Sequence, residues 1–342
     1  MEYGSDFSID LGSLQYTDDN VFNFLNANHT IYFDSGRSAT RFLLRSIEHK
    51  IVALPDYLCE SISDCFPDSD VYYYSVDSQL QITNLESVPW DKIDLFYLLH
   101  YFGSLQSEAI LEYVKEKKKE CGFTILEDTT HSIFTRAVTV GDYCVCSLRK
   151  WFPIPDGGVL YSNRTLSTRE YEGLSSIQSN RIQGMVLKDL YLSGAVTEKD
   201  AFRNILISTE DALDLQEEVF RISTISEHIL KCQSVSEVVN TRKQNHAALK
   251  NAISDLLPEI VKRDEADVPY IYVTKVDNRN ELRSYLTQRA VYCPVHWPLP
   301  DSWNSETALR LSEHLISIPI DQRYGSHEVE NVAQIVRGYY NE

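Results

Sequence analysis

The sequence predicts an α/β protein whose central sheet is mostly parallel and covered by helices on both faces. In the first half, short apolar runs alternate with amphipathic helical patterns, which is the arrangement of parallel strands joined by crossover helices. A length of 342 residues favours two domains. We expect a large α/β domain over 1–205, and interdomain helices with a smaller C-terminal α+β domain over 206–342.

The predicted strands of the first half are short apolar runs. They lie at 31–33, 51–54, 71–76, 93–102, 123–128, 143–148 and 157–162. Helical patterns follow several of them, in SGRSATRFLLRSIEH, DYLCESISDCF and SEAILEYVKEKKKECG. In the last of these, an apolar stripe faces the sheet and the lysines face solvent.

The second half has a different character. From about Ile205 to Ile253 the chain is almost free of Gly and Pro, which predicts long helices. YIYVTKV, ELRSYLTQRA and VYCPVHW then indicate a small α+β domain, closed by a helix over SHEVENVAQIVRGYYN. The stretch from Arg164 to Glu210 either carries a substrate loop or packs on a partner subunit.

Charge and cysteine content exclude several classes of function. The net charge of −18 argues against binding to nucleic-acid phosphates or to anionic membranes. The seven cysteines form no CxxC pair and no zinc-ligand spacing, so we expect reduced thiols, a cytoplasmic location and no metal site. No apolar run approaches the length of a transmembrane helix.

Two candidate sites lie where predicted strands end, which is where parallel sheets bind ligands. In SGRSAT, Gly36 allows a tight turn, and Ser38, Ala39 and Thr40 open a helix. Backbone N–H groups at such a helix start suit a phosphate, although a simple helix cap explains the same residues. In CSLRKWFPIPDGG, Lys150 follows a buried strand. It is either a surface lysine or a lysine whose amine does chemistry.

Two more strand ends carry polar side chains. In LEDTTH, Asp128 ends a strand and His131 follows three residues later. A carboxylate there is costly unless it is paired or faces a site, and the alternative is a helix-capping aspartate with an incidental histidine. In LLHYFG, His100 stands among aromatic residues, for which ordinary aromatic packing is the alternative.

Together these residues match the needs of pyridoxal 5'-phosphate (PLP). Lys150 would form a Schiff base with the aldehyde, and Asp128 would pair with the pyridinium nitrogen and keep it protonated. The helix start near Gly36 would neutralise the phosphate. A packed loop after the strand would partly desolvate Lys150, which a nucleophilic lysine needs near neutral pH.

The chain resembles the DegT-type sugar aminotransferases of the fold-type I aspartate-aminotransferase superfamily, as a divergent branch. The resemblance runs from YFDSGRSA to the C-terminus. It implies the fold-type I architecture and PLP as cofactor. It assigns the phosphate to Gly36, Arg37, Ser38, Ala39 and Ser147, the pyridinium nitrogen to Asp128, the cofactor's face or phenolic oxygen to His131, and the internal Schiff base to Lys150.

The same resemblance suggests further residues and also shows departures. The aromatic that stacks on the cofactor ring in the family corresponds to Cys59, with Tyr57 nearby. Where the family has Asn-x-Arg reaching the neighbouring subunit's cofactor phosphate, Arg221 is kept but Val219 replaces the asparagine. As substrate residues the resemblance suggests His100, Arg221, His296 and Trp297, the last two being equally well explained as a packed strand end.

The activity that the resemblance implies is amino transfer from an amino-acid donor such as glutamate to a keto group, for example one on a nucleotide-linked sugar. It also implies sugar biosynthesis and a homodimer with shared sites. Two alternatives stay open: other PLP chemistry on the same fold, and a catalytically degenerate protein that binds or regulates. A transaminase converts bound PLP to its aminated form when an amino donor is added, whereas a binding protein shows no such half-reaction.

Overall fold

The computed structural model describes residues 2–12, 14–166 and 173–341. The chain forms two compact units. The first unit comprises Asp6–Ile47 and Tyr143–Ser236, and the second comprises Glu2–Ser5, Glu48–Asp142 and the chain from Glu237 onward. The expected division into domains 1–205 and 206–342 stays a prediction.

Strands and helices are each numbered in the order in which they occur along the chain. The strands are β1 Tyr3–Gly4, β2 His29–Phe33, β3 Ile51–Pro55, β4 Asp70–Val76, β5 Ile82–Thr83, β6 Leu95–Leu99, β7 Thr124–Asp128, β8 Tyr143–Ser147, β9 Gly158–Ser162, β10 Tyr272–Lys275, β11 Val291–Tyr292 and β12 Leu315–Ile318. The helices are α1 Val21–Phe24, α2 Gly36–Leu44, α3 Glu60–Ser63, α4 Glu108–Cys121, α5 Ile177–Leu192, α6 Lys199–Asp214, α7 Thr224–Lys231, α8 Val235–Ile253, α9 Arg279–Gln288, α10 Glu306–His314 and α11 Ser326–Asn341.

The second unit contains the predicted parallel sheet. Its strands lie in the order β7-β6-β3-β4-β5, and every pair is parallel except β4 with β5. All five residues of β6 are buried, because a central parallel strand is covered on both faces. The carboxyl ends of β3, β6 and β7, at Pro55, Leu99 and Asp128, therefore lie at one edge of the sheet.

Two hydrophobic clusters hold this unit together. Leu111 and Val114 of α4 pack with Phe96 of β6 and with Trp90 and Phe123. A separate cluster joins the antiparallel pair β10–β12 to α8, α9 and α11, and this is the small α+β layer expected from the C-terminal sequence.

The first unit is built on an antiparallel three-stranded sheet in the order β2-β9-β8. Helix α2 packs on β8 and β9. Helices α5 and α6 form a close antiparallel pair, where a Cβ added at Gly184 would lie 2.9 Å from a methyl group of Leu206. Residues 167–172, within the stretch expected to carry a substrate loop or a partner contact, lie outside the described residues.

One helical expectation needed correction. The helix expected over DYLCESISDCF is only the four residues of α3, because turns and Pro67 leave too little chain before β4. The long helices expected from about Ile205 to Ile253 are present as α6, α7 and α8. Among the described residues no helix is both long and apolar enough to cross a membrane, and all seven cysteines are free thiols.

Candidate active site

The start of α2 lies where the sequence predicts a phosphate-binding turn, and its cap differs from the expected residues. The helix begins at Gly36, and its cap is Ser35, whose side chain accepts a hydrogen bond from the Ser38 backbone N–H at 3.1 Å. A Cβ added at Gly36 would lie 3.3 Å from the Ser147 Cβ. The unpaired N–H groups of the first turn thus lie beside the end of β8.

Gly158 makes this close approach possible. A Cβ added there would lie 2.1 Å from the Ser35 carbonyl oxygen and 2.5 Å from the Gly36 nitrogen, and neither backbone atom can move without displacing the turn.

We expect Gly158→Ala to lower the free energy of unfolding by roughly 1–3 kcal/mol, as overpacking does in a tight core. Urea unfolding measures this change. Gly173→Ala, where an added Cβ meets nothing within 4 Å, is the matched control. Equal stability of both variants would contradict the close approach of β9 to the turn.

Lys150 lies at the end of a helical turn, Leu148–Lys150, that directly follows β8. The side chains of Trp151 and Phe152 are fully buried and anchor the chain beyond it. Lys150 itself is exposed, and among the described residues no side chain accepts a hydrogen bond from its amine. The expected desolvation is therefore absent in the single chain, because the loop buries the aromatic residues and leaves the lysine outside.

A cluster of cations surrounds one carboxylate in the same unit. Glu210 on α6 pairs with Arg149, and its Oε1 lies 2.5 Å from Arg181 Nη1. Burial alone would raise the pKa of Glu210, but the charges of Arg149 and Arg181, with smaller contributions from Lys150 and Arg37, lower it to about 2. No sequence motif pointed to Glu210, because its partners Arg149 and Arg181 lie far away along the chain.

We expect this pairing to stabilise the fold above pH 4.5 and to be lost as the pH falls towards 2, because the pKa of Glu210 is lower in the folded than in the unfolded chain. The Glu210 side chain is 39% exposed, so solvent screening limits the effect to about 1 kcal/mol. Urea unfolding at pH 7 and at pH 3 should show that Glu210→Gln is less stable than wild type at pH 7 and that this difference is smaller at pH 3. Glu306→Gln, in an exposed pair with Arg310, is the control. An unchanged difference at both pH values would contradict the pairing.

In the second unit, Asp128 ends β7 opposite Leu99 of β6. The carboxyl is buried: Oδ2 accepts a hydrogen bond from the Tyr97 hydroxyl at 2.7 Å, Oδ1 accepts one from the Thr130 backbone N–H at 2.8 Å, and the Thr130 side chain also donates to the carboxyl. Burial raises the pKa of Asp128. A buried carboxyl held in this way is oriented to receive a further cationic donor.

His131 lies in an aromatic cluster of the second unit. Its ring is parallel to that of Tyr270 at 4.4 Å between centroids and to that of Trp297 at 5.8 Å. The backbone N–H of Phe102 donates to His131 Nδ1 at 3.4 Å. The cluster also brings in His296, whose Nδ1 lies 2.8 Å from the Ser317 hydroxyl. His131, His296 and Trp297 are thus neighbours, as the sequence did not reveal.

Tyr57 and Cys59, the two candidates for stacking on a cofactor ring, occupy different surroundings. Tyr57 is fully buried, and its ring packs against those of Trp297 and Tyr101. Cys59 is half-buried and precedes α3, with its Sγ 3.1 Å from the Ser61 hydroxyl.

His100 is fully buried in a hydrogen-bond network. Its Nδ1 accepts from the Gln106 backbone N–H at 3.1 Å, and its Nε2 lies 3.2 Å from Glu127 Oε1. Glu127 also accepts from the backbone of Thr139, Val140 and Gly141. This placement gives His100 a part in fixing a loop and presents no surface to a substrate.

Arg221 lies on a short segment that runs antiparallel to the end of β2 and bridges Phe33. Arg221 is exposed, whereas Val219, in the place of the family's asparagine, is 1% exposed and belongs to the core. Arg37, in the first turn of α2, forms an ion pair with Asp214 at 2.5 Å.

The first unit thus brings together the Gly36 turn, Ser147 and the Lys150 turn, and the second brings Asp128 to the sheet edge where the aromatic cluster also begins. Sequence reasoning missed Ser35, Tyr97, Tyr270 and Glu210. Ser35 could have been found from the Ser-x-x-Ser spacing of a helix cap. Among the described residues no group of His, Cys, Asp or Glu side chains is placed to hold a metal ion.

Comparison with known proteins finds similar solved structures but no similar sequence family. No protein-family model matches the sequence, and no curated protein matches it. Similar solved structures include a DegT DnrJ EryC1 StrS aminotransferase from Brucella abortus, at 15% identity and a TM-score of 0.63, covering 97% of this chain and 92% of that one. Helicobacter pylori PseC, an aminotransferase involved in the biosynthesis of pseudoaminic acid, is 16% identical with a TM-score of 0.63 and 99% of each chain covered.

A third structure, S. venezuelae DesV in complex with a ketimine intermediate, is 15% identical with a TM-score of 0.67, covering 93% of this chain and 86% of that one. Likeness at these identities concerns the fold. The predicted α/β fold class is confirmed: over almost its whole length, this chain has the fold of these aminotransferase structures.

Proposed function

We propose that this protein is a PLP-dependent aminotransferase that moves an amino group from an amino-acid donor to a keto group. The observation that carries the proposal is the close approach of Gly36 to Ser147, three residues before Lys150. A helix start that can bind phosphate therefore lies beside the turn that carries an exposed lysine.

The residues of the first unit fit the phosphate end of PLP. The free N–H groups of α2 and the Ser147 hydroxyl would hold the phosphate, and glycine at 36 leaves space that a Cβ would fill. Arg37 and Arg149 also lie near this turn, but Arg37 is paired with Asp214 and Arg149 with Glu210, so the proposed phosphate site depends on the helix N–H groups and on Ser147.

The residues of the second unit fit the ring end. Asp128, fixed by Tyr97 and the Thr130 backbone, would accept the pyridinium N–H. When bound, PLP supplies an electron sink for the bonds at the substrate α-carbon. Lys150 would anchor the cofactor aldehyde and then carry the proton to and from that carbon with its freed amine. Asp128 would keep the ring nitrogen protonated throughout.

The proposed acceptor is a keto group on a nucleotide-linked sugar. Support comes from two structural neighbours: PseC, described as an aminotransferase involved in the biosynthesis of pseudoaminic acid, and DesV, described in complex with a ketimine intermediate. We further propose a cytoplasmic homodimer in which Arg221, exposed in the single chain, reaches the partner's site.

The proposal is tested by a half-reaction. Protein loaded with PLP is mixed with glutamate, and the release of 2-oxoglutarate is measured together with the conversion of bound PLP to its aminated form. We expect about one 2-oxoglutarate per site in the absence of an acceptor, because the ping-pong mechanism stops there. PLP bound without any conversion by glutamate or by other amino donors would favour a binding protein instead.

A further inference from the structure

Asp156, six residues after Lys150, is a buried carboxyl that accepts three hydrogen bonds. It is 4% exposed. Its Oδ2 accepts from the Ser223 backbone N–H at 2.7 Å, and its Oδ1 accepts from the hydroxyls of Ser223 and Ser226. Burial raises the pKa of Asp156 to about 6, against the effect of these donors. At neutral pH the group is therefore mostly a carboxylate, which can only accept.

Through Ser223, Asp156 fixes the segment that carries Arg221. Ser223 is the cap of α7 and stands two residues after Arg221. The same segment is attached to the end of β2, where the Asp34 N–H donates to the Phe220 carbonyl at 3.1 Å. The segment therefore lies beside Asp34, directly before the Ser35 cap of the phosphate turn.

Gly157, the residue after Asp156, connects the helical turn of Lys150 to Asp34. The Gly157 N–H donates to the Asp34 carbonyl at 2.7 Å, and the Gly157 carbonyl accepts from the Leu148 N–H at 3.0 Å. Leu148 begins the helical turn that ends at Lys150. A continuous set of backbone hydrogen bonds thus links the Lys150 turn, Gly157, Asp34 and Phe220.

We propose that Asp156 is a positioning residue for phosphate binding, which holds the Arg221 segment and the Lys150 turn in register with the Asp34–Gly36 turn. The inference rests on the proposed function for the identity of the phosphate, which is that of PLP. The contacts that support the inference do not depend on that function. A helix cap alone needs one acceptor at Ser223. Asp156 accepts from both the backbone N–H and the hydroxyl of Ser223, and it lies in the loop that follows Lys150.

The experiment compares ligands that differ only in the phosphate. PLP and pyridoxal are titrated into wild type, Asp156→Ala and Asp156→Asn, and the visible band of the lysine-bound aldehyde is recorded. Inorganic phosphate binding is measured separately by calorimetry. Ser226→Ala removes one donor to Asp156 far from the turn and serves as the matched control. Thermal unfolding of each variant reports its fold.

We expect Asp156→Ala to weaken the binding of PLP and of inorganic phosphate about ten-fold, the effect of losing hydrogen bonds to a charged group, and to weaken the binding of pyridoxal clearly less. Asp156→Asn keeps an acceptor oxygen, so its affinity for PLP and for phosphate should lie between those of Asp156→Ala and wild type. If Asp156→Ala fails to fold, Asp156→Asn provides the comparison. Ser226→Ala should change the constants less than two-fold.

Equal weakening of PLP and pyridoxal, or no weakening of either, would overturn the inference and leave Asp156 as a structural cap. A wild type that shows no visible band with either aldehyde would contradict the proposed function. In that case the calorimetric binding of inorganic phosphate tests the positioning role. Weaker phosphate binding by the Asp156 variants than by wild type supports that role. Equal binding by wild type and variants, or no binding by wild type, overturns it.

Discussion

Lys150→Ala is expected to abolish amino transfer, lowering kcat/KM by on the order of 10⁴-fold or more, because the variant loses both the covalent anchor and the group that moves the proton. The side chain is exposed, so the free energy of unfolding should change by less than about 0.5 kcal/mol. Steady-state kinetics with glutamate, beside urea unfolding of the same preparation, measures both quantities.

The control for this variant is Lys119→Ala, which removes an exposed lysine from α4. It should leave the kinetics and the stability as they are in wild type. Activity retained by Lys150→Ala within ten-fold of wild type would mean that the lysine at this strand end is an ordinary surface residue.

Asp128→Asn is expected to lower kcat/KM by about 10²- to 10³-fold. The substitution keeps the size of the side chain but removes the charge that would pair with the pyridinium nitrogen, and breaking such a buried pair costs roughly 3–5 kcal/mol. Burial raises the pKa of Asp128 in the described structure, so the loss of its charge should not destabilise the protein without cofactor. Kinetics and thermal unfolding, each with and without PLP, separate the two effects.

Tyr97→Phe is the matched control for Asp128. It removes the hydroxyl that donates to Oδ2 while the carboxyl and the Thr130 contact stay in place, so kcat/KM should fall by about ten-fold, the cost of a hydrogen bond to a charged group. Equal losses in the two variants would show that orientation of the carboxyl, and not its charge, is what the site requires.

The sequence was most informative where one property decided the structure. Strands β3 and β6 are continuous apolar runs, β7 has an apolar centre at Ile125 and Leu126, and each is a buried parallel strand within a few residues of its predicted range. Strand ends could likewise be located, so Asp128 and Lys150 were found from the point where an apolar run stops. The antiparallel direction of β9 was not predicted, because direction depends on the connection and not on the run itself.

Contacts between distant segments were beyond sequence reasoning. Glu210 meets Arg149 and Arg181, and Asp156 meets Ser223, across separations at which no spacing rule applies. His100 shows the opposite error: beside aromatic residues it resembles a site residue, but its pairing with Glu127 on the neighbouring strand makes it part of the core. Burial and partners, which follow from strand pairing, decided its placement.

The most direct test of the central claim is to locate the lysine that binds the cofactor. Wild-type protein is incubated with PLP, reduced with borohydride, digested and analysed by mass spectrometry. A pyridoxyl group on Lys150, with none on Lys119 and none in Lys150→Ala, is the result that we expect. Reduction that leaves Lys150 unmodified, or that labels exposed lysines without preference, would contradict a PLP enzyme built on this lysine.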